Sequence, residues 1–236
     1  MTPPRRAAGI RALTLDLDDT LWPVWPAIER AERALHDWLA QHAAPTALRF
    51  DVAALRALRE QVARERPEWT HDFSRMRRES LVRALTLAGD DPALADPAFA
   101  VFFAARNRVE LFDDALSGLE ALAARWPIVA VTNGNADLHG IGLAGHFAAT
   151  VSAREFGIAK PDPRIFHEAC RRLDARPHEV LHIGDDWALD VVGAHRAGLR
   201  TVWLRRDGVA DHPAGGPITA DCVARDLHEL LGWLDG

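Results

Sequence analysis

The stretch Leu13-Thr14-Leu15-Asp16-Leu17-Asp18-Asp19-Thr20-Leu21 decides how the rest of the chain is read. Ile10, Ala12, Leu13, Leu15 and Leu17 form an apolar run with few polar breaks, the pattern of a buried strand. Three acids within four residues stand at its end, followed by Thr20. Adjacent carboxylates repel, and burying them at the edge of a core costs roughly several kcal/mol unless positive charge compensates. A divalent cation is the usual compensation, because hard ions take oxygen ligands. The same residues would equally serve as an acidic turn capping a following helix, since Asp and Thr favour such places. On this stretch alone the two readings are level, and the remainder of the chain separates them.

A chain of 236 residues has room for one large domain or for a core carrying a smaller insertion. A net charge of −6 gives no electrostatic footprint for nucleic acid or an acidic membrane surface. Cys170 and Cys222 are too few for a disulfide framework and match no zinc spacing. Pro3-Pro4-Arg5-Arg6 leads into a strand, not into the apolar segment of a signal peptide, and no run is long enough to span a bilayer. The expectation is a cytoplasmic protein with neither nucleic-acid nor membrane partner. Among the basic residues Lys160 is the single lysine, all others being arginine. Either residue solvates a helix face, so a lone lysine invites a reason, such as a compact point charge that a planar guanidinium cannot replace.

Trp22-Pro23-Val24-Trp25-Pro26 reads as a break in regular structure. From about Ala27 to Val109 the periodicity is helical throughout. Ile28, Ala31, Leu35 and Trp38 define one helix face, and Val52, Leu55, Leu58 and Val62 a second. Phe73, Leu81, Val82 and Leu85 give a third, and Phe99, Phe102, Phe103 and Val109 a fourth. Beyond it strand and helix alternate. Apolar runs at Ile128–Val131, Ala148–Ser152, Val180–Ile183 and Thr201–Leu204 are separated by helical segments near Ser117–Arg125, after Lys160-Pro161-Asp162-Pro163, and at Ala188–Ala197. A helix at Leu227–Leu234 closes the chain, after a loop at Asp211–Pro217. The expected fold is α/β: a Rossmann-like parallel sheet with helices on both faces, formed by residues 1–21 and 113–236, plus an inserted all-helical domain at 22–112.

In open parallel sheets, ligands bind outside the carboxyl ends of the strands. Three apolar runs here end abruptly in polar residues: Asp16-Leu17-Asp18-Asp19, Thr132-Asn133 and Gly184-Asp185-Asp186. Gathered on one sheet edge, they fit a single reaction. A carboxylate nucleophile, with a second carboxyl two residues on, can attack a phosphoryl group and then supply or remove a proton. A third carboxylate from another strand completes an oxygen-rich Mg2+ site. A hydroxyl, backbone N–H groups and one ammonium would hold the phosphoryl oxygens as charge redistributes.

These motifs, in the order Asp16-Leu17-Asp18-Asp19-Thr20, Thr132-Asn133, Lys160-Pro161 and Gly184-Asp185-Asp186 with Asp190, resemble those of the haloacid dehalogenase-like hydrolases. The resemblance spans nearly the whole chain. It implies that Asp16 is a nucleophile forming an aspartyl-phosphate. It makes Asp18 the general acid/base, also giving its backbone carbonyl to Mg2+. By the same resemblance Thr132, Asn133 and Lys160 bind phosphate, Asp185 is the remaining protein ligand of the metal, and Asp190 and Asp186 support the metal from behind. The helical insertion becomes a cap closing over the substrate, a small phosphorylated metabolite. Within this family Asp18 favours a phosphatase over the dehalogenases, which need no acid for the leaving group. A cap without lysine argues against the phosphonate-cleaving members. A sugar-phosphate mutase and a non-catalytic phosphate-binding protein are the alternatives, though the latter would be expected to lack Asp16, Asp18 or Lys160. Pro67-Glu68-Trp69-Thr70-His71-Asp72, Arg75 with Arg77, and the segments from Thr132 and His182 also resemble bacterial phosphatases of riboflavin biosynthesis. Those act on FMN and on the aminophosphoribitylaminouracil precursor, and the likeness makes Arg75 and His71 candidate substrate contacts.

Other signals carry less. Gly140-Ile141-Gly142-Leu143-Ala144-Gly145 fits a dinucleotide-binding pattern in letters but neither directly follows a strand nor opens a long helix. His182, inside a strand, reads as a satisfied core residue. Trp22, Trp25, Trp38 and Trp69 read as packing between cap helices, and Arg75-Met76-Arg77-Arg78 as a solvated helix face.

Overall fold

The computed structural model describes residues 8–206 and 218–236. The expected loop at Asp211–Pro217 and the Pro3-Pro4-Arg5-Arg6 segment lie outside them. Among the described residues, six strands form one parallel sheet: β1 (Ala12–Leu15), β2 (Ile128–Thr132), β3 (Ala149–Ser152), β4 (Val180–Gly184), β5 (Arg200–Leu204) and β6 (Cys222–Ala224). β1, β2 and β4 are buried at every position, as strands covered on both faces must be. The spatial order is β3-β2-β1-β4-β5-β6, so the chain builds outward from β1 to β3 and then restarts on the other side of β1. That reversal falls between β1 and β4, the place where open parallel sheets bind ligands outside the carboxyl ends of their strands. Their register sets Thr14 beside His182 and Leu15 beside Ile183.

The chain divides into two compact units. The helical unit comprises Val24–Glu110 together with Asn135–Ile141. It contains α1 (Val24–His42), α2 (Ala44–Arg49), α3 (Val52–Glu65), α4 (Phe73–Ala88) and α5 (Ala95–Arg106). Asp51 and Asp72 cap α3 and α4 by accepting the backbone N–H of Ala54 and Arg75, and α4 stops at left-handed Gly89. Ala31, Leu35 and Leu39 of α1 form its core with Leu81 and Leu85 of α4 and Phe99 and Phe102 of α5. The sheet unit holds the remainder, including α6 (Ala115–Ala123). The short α7 (Leu138–Ile141) belongs to the helical unit; α8 (Ala153–Phe156), α9 (Pro163–Arg172), α10 (Gly193–Arg196) and α11 (Leu227–Asp235) belong to the sheet unit. Ile165, Phe166 and Ala169 of α9 pack with Ala12, Val129, Val131 and Val180 of the strands. No helix is long and apolar enough to cross a membrane among the described residues.

Several local expectations are corrected. Trp22–Pro26 is not a simple break, because α1 begins at Val24 with Pro26 in its first turn, where a missing N–H leaves no bond unmade. Trp22 is fully buried in the sheet unit rather than between cap helices. The strand β6 and the short helix α2 had too few periodic residues to be seen. Phe73, assigned to a buried face, is exposed, and Val109 lies beyond the end of α5. Asn135–Ile141 groups with the helical unit because Asn135 accepts from Arg106 Nε (3.0 Å) and donates to Ser74 (3.1 Å). Arg75-Met76-Arg77-Arg78 is not a solvated face. Met76 and Arg77 are buried, Arg77 meets Glu32 at 3.5 Å, and its guanidinium lies 3.6 Å from the centre of the Phe102 ring. Burial, followed by repulsion from Arg59, pulls the Arg77 guanidinium down to about 9.

Two carboxyls held by arginine make part of the fold's stability depend on pH. Arg171, then Arg172, hold the Glu168 carboxyl down to about 2, and the side chain and N–H of Arg176 do the same for Glu179. A carboxyl depressed in the folded state stabilises the protein above its unfolded value, and that stability is lost as pH falls through the folded one. A Glu168→Gln/Glu179→Gln double variant should therefore show a lower urea midpoint at neutral pH. The difference from the parent should shrink between about pH 4.3 and about pH 2. A gap that does not narrow over that interval would contradict the assignment.

Candidate active site

At the β1–β4 reversal, Asp16 is the first residue past β1 and Asp185 the first past β4. Lys160 arrives from the segment between α8 and α9, and its ammonium is buried between two carboxylates. Nζ lies 2.5 Å from Asp16 Oδ1 and 2.7 Å from Asp190 Oδ1. The backbone carrying Lys160 is clasped by Asn133, whose Oδ1 accepts the Lys160 N–H (2.7 Å) and whose Nδ2 donates to the Lys160 carbonyl (3.0 Å). The Asn133 amide, expected on phosphate, is thus engaged in positioning the lysine.

Both oxygens of Asp190 accept hydrogen bonds. Besides Lys160, its Oδ1 accepts from His182 Nε2 (3.0 Å) and its Oδ2 from the Asp186 N–H (3.0 Å). With Nε2 carrying the hydrogen, Nδ1 accepts from the Thr14 hydroxyl at 2.9 Å. His182 is buried as expected, yet it also links β1 to the Asp190–Lys160 pair, a role its position inside a strand did not show. One signal was present: strand alternation places His182 on the same face as Gly184. A Cβ at Gly184 would come within 2.3 Å of Asp190 Cγ, so glycine makes the room for that carboxylate.

Thr20 Oγ1 donates to Asp185 Oδ1 (2.8 Å), and Trp203 Nε1 donates to the Asp185 carbonyl (2.8 Å). Trp22 Nε1 donates to Asp18 Oδ1 (2.8 Å). Asp19 takes the left-handed conformation in the intervening turn. Thr132 Oγ1 accepts the Gly134 N–H (2.9 Å), which leaves its own hydrogen to donate. A Cβ on Gly134 would lie 2.3 Å from Asp18 Oδ2 and 3.2 Å from Thr132 Oγ1, so these two side chains meet over that glycine. Asp186, expected behind the metal, instead accepts the N–H groups of Ala188 and Leu189 (both 2.8 Å) and caps the turn of helix that begins at Trp187. Arg75 and His71 belong to the helical unit, where the Arg75 guanidinium covers the Trp69 ring at 4.1 Å.

One carboxylate oxygen each from Asp16, Asp185 and Asp190 lies within 4.8 Å of the others. Three carboxylates face one ammonium, and the imbalance appears in their proton affinities. Burial pushes the Asp16 carboxyl well above the usual range; Lys160 opposes this, while Asp190 and Asp185 add to it. Burial, then the charge of Asp190, pushes Asp185 up to about 7. Burial acts on Asp190 too, but the Lys160 charge and the His182 hydrogen bond outweigh it and hold that carboxyl at about 2. Lys160 is itself raised above its ordinary value, since burial is outweighed by the Asp16 and Asp190 charges. An all-oxygen donor set carrying uncompensated negative charge fits a hard divalent cation such as Mg2+. Asp16 and Asp185 are better placed to hold it than Asp190, whose oxygens are engaged.

A family profile described as haloacid dehalogenase-like hydrolase matches residues 10–198. The 5-amino-6-(5-phospho-D-ribitylamino)uracil phosphatase YigB of Escherichia coli is 36% identical over 205 residues, covering 85% of this chain and 86% of that protein. A phosphoserine phosphatase of Thermus thermophilus is 37% identical over 161 residues, 65% of this chain and 64% of that one. The crystal structure of a 2-haloacid dehalogenase from Pseudomonas syringae superposes with a TM-score of 0.87 at 39% identity, over 95% of this chain and 98% of that chain.

The room at Gly184 is testable. Gly184→Ala should force the Asp190 carboxylate aside and lower stability by about 1–3 kcal/mol. A thermal melt checks this, and an unchanged midpoint would refute the close approach.

Proposed function

The chain belongs to the haloacid dehalogenase-like hydrolases, and from that premise we propose that it is a Mg2+-dependent phosphomonoesterase acting on a small phosphorylated metabolite through Asp16. The observation that carries the reading is the buried Lys160 ammonium 2.5 Å from Asp16, whose carboxylate lies within 4.8 Å of that of Asp185, with Asp18 two residues along the chain. The Asp16 carboxylate attacks phosphorus, and the bond from phosphorus to the ester oxygen breaks. Asp18 gives its proton to that leaving oxygen. The resulting aspartyl-phosphate is attacked by water, whose proton returns to Asp18, and inorganic phosphate leaves with Asp16 regenerated. The Thr132 hydroxyl and the Lys160 ammonium hold the phosphoryl oxygens while charge redistributes. A divalent cation held by the Asp16 and Asp185 carboxylates and the Asp18 carbonyl would offset the excess negative charge and polarise the phosphoryl group.

The similarity to a 2-haloacid dehalogenase favours a second reading, in which Asp16 displaces halide from carbon. Halide leaves without a proton, and Asp18, fixed by Trp22, would then have no task. Its presence supports phosphoryl transfer. The similarity to the E. coli ribitylaminouracil phosphatase supports a phosphorylated ribityl compound or FMN as substrate, and we assign substrate choice to the helical unit.

Asp16→Asn should lose turnover of an aryl phosphate by at least about a thousandfold while keeping its circular dichroism. Chelator should stop the parent enzyme and Mg2+ restore it. Release of halide from a 2-haloacid, with no phosphate released from FMN, the ribitylaminouracil phosphate or an aryl phosphate, would overturn the proposal. Lys160→Arg keeps the charge but not its shape. The wider planar guanidinium does not fit a buried position shaped for one nitrogen between Asp16 and Asp190, so kcat/KM should fall by about a hundredfold or more. A variant with near-parental kcat/KM would contradict the role given to the ammonium.

A further inference from the structure

Arg206 stands just past the end of β5, remote in sequence from every motif described above, and it is almost fully buried. Its guanidinium grips one backbone atom from two sides: Nε and Nη2 both donate to the carbonyl of Thr20, at 3.2 and 2.7 Å. Nη1 donates to Asp114 Oδ1 (2.5 Å), and the Phe112 ring centre lies 4.3 Å from the guanidinium carbon. The other oxygen of Asp114 accepts the N–H of Leu227, the first residue of α11, at 2.8 Å. The anchor behind Arg206 is therefore itself tied to a helix. In front of it, Thr20 uses its hydroxyl to hold Asp185 Oδ1 at 2.8 Å.

The geometry points to Arg206 as a positioning residue for the cation site: by fixing the Thr20 carbonyl it fixes the Thr20 hydroxyl, and so decides which way Asp185 presents its carboxylate. The inference rests on the reading of Asp16 and Asp185 as Mg2+ ligands. Partners that orient a metal's ligands typically change its affinity by 10–100-fold when removed. Arg206 acts one link further back, which places its effect near the lower end of that range. Simple electrostatics predicts the opposite sign, because deleting a positive charge near a cation site should tighten cation binding. Arg206→Met separates the two accounts by direction, and Arg206→Lys holds the charge constant, so a weakening there reports lost geometry alone.

The experiment measures Mg2+ binding to the metal-free 236-residue chain by titration calorimetry, together with the Mg2+ dependence of aryl phosphate hydrolysis. Arg206→Met removes the grip but leaves Asp114 unpaired. Arg206→Lys keeps a cation beside Asp114 and can offer only point contacts, so it retains the fold where the methionine variant does not. Arg225→Met, which removes an exposed charge paired with Glu229, is the control for charge alone. The expected result is a Mg2+ dissociation constant raised roughly tenfold in Arg206→Lys, a parental value or tighter in Arg225→Met, and kcat close to parental at saturating Mg2+. A folded Arg206→Lys protein with unchanged or tighter Mg2+ binding overturns the inference while the cation site stands. Absence of Mg2+ binding by the parent protein overturns the cation site, and this inference with it.

Discussion

One ammonium held between two carboxylates is the interaction on which the rest of the site depends. Lys160 Nζ touches Asp16 and Asp190, residues 144 and 30 positions away in sequence, and all three are buried. Taking any of these charges out of water is costly, and removing one partner of such a buried set typically destabilises by about 3–5 kcal/mol. Pairing recovers that cost only because the lysine meets two carboxylates at once; opposite charges about 4 Å apart attract by about 4 kcal/mol at an effective dielectric constant of 20. The arrangement therefore demands several elements together. β1 must deliver Asp16, β4 must end at a glycine to admit Asp190, and Asn133 must clasp the backbone that brings the lysine.

The strand order makes this meeting possible. Because β1 and β4 are neighbours although far apart in sequence, their carboxyl ends place Asp16 and Asp185 side by side, and Thr14 sits beside His182 one layer deeper. The chain from Thr14 through His182 to Asp190 lies in the sheet interior, so the lysine's second partner is supported by the core itself.

Much of this was legible in the sequence because burial on both faces of a parallel sheet leaves near-continuous apolar runs. Leu13, Leu15 and Leu17, and Ile128 to Val131, are such runs, and the polar residues that end them mark the crevice edge. The single lysine was legible for a chemical reason, since a compact charge is needed where two carboxylates close on one point. What escaped notice were side chains whose partners are distant. Arg77 looks like surface until Glu32, 45 residues earlier, is brought to it. His182 looks like core until Asp190 reaches its ring, and nothing near Arg206 in sequence announces the Thr20 carbonyl, 186 residues away. Asp186 has local partners: its side chain accepts the N–H groups of Ala188 and Leu189, while its own N–H donates to Asp190.

The carboxylates of the site are sorted by what already satisfies them. Asp190 has a lysine, a histidine and a backbone N–H, and stays ionised down to about 2 in spite of complete burial. Asp185 accepts the Thr20 hydroxyl and, among the described residues, has no ion pair to a cation; burial drives it up to about 7. Asp16 shares its lysine with Asp190 and is also driven up. On the proposed reading, a carboxylate that attacks phosphorus must be ionised, and Asp16 would then need more positive charge than Lys160 supplies. Asp185, with little else to stabilise its charge, is the residue best suited to help recruit it. One acid is thus committed to holding the lysine, and two are left with an electrostatic deficit that a divalent cation would fill.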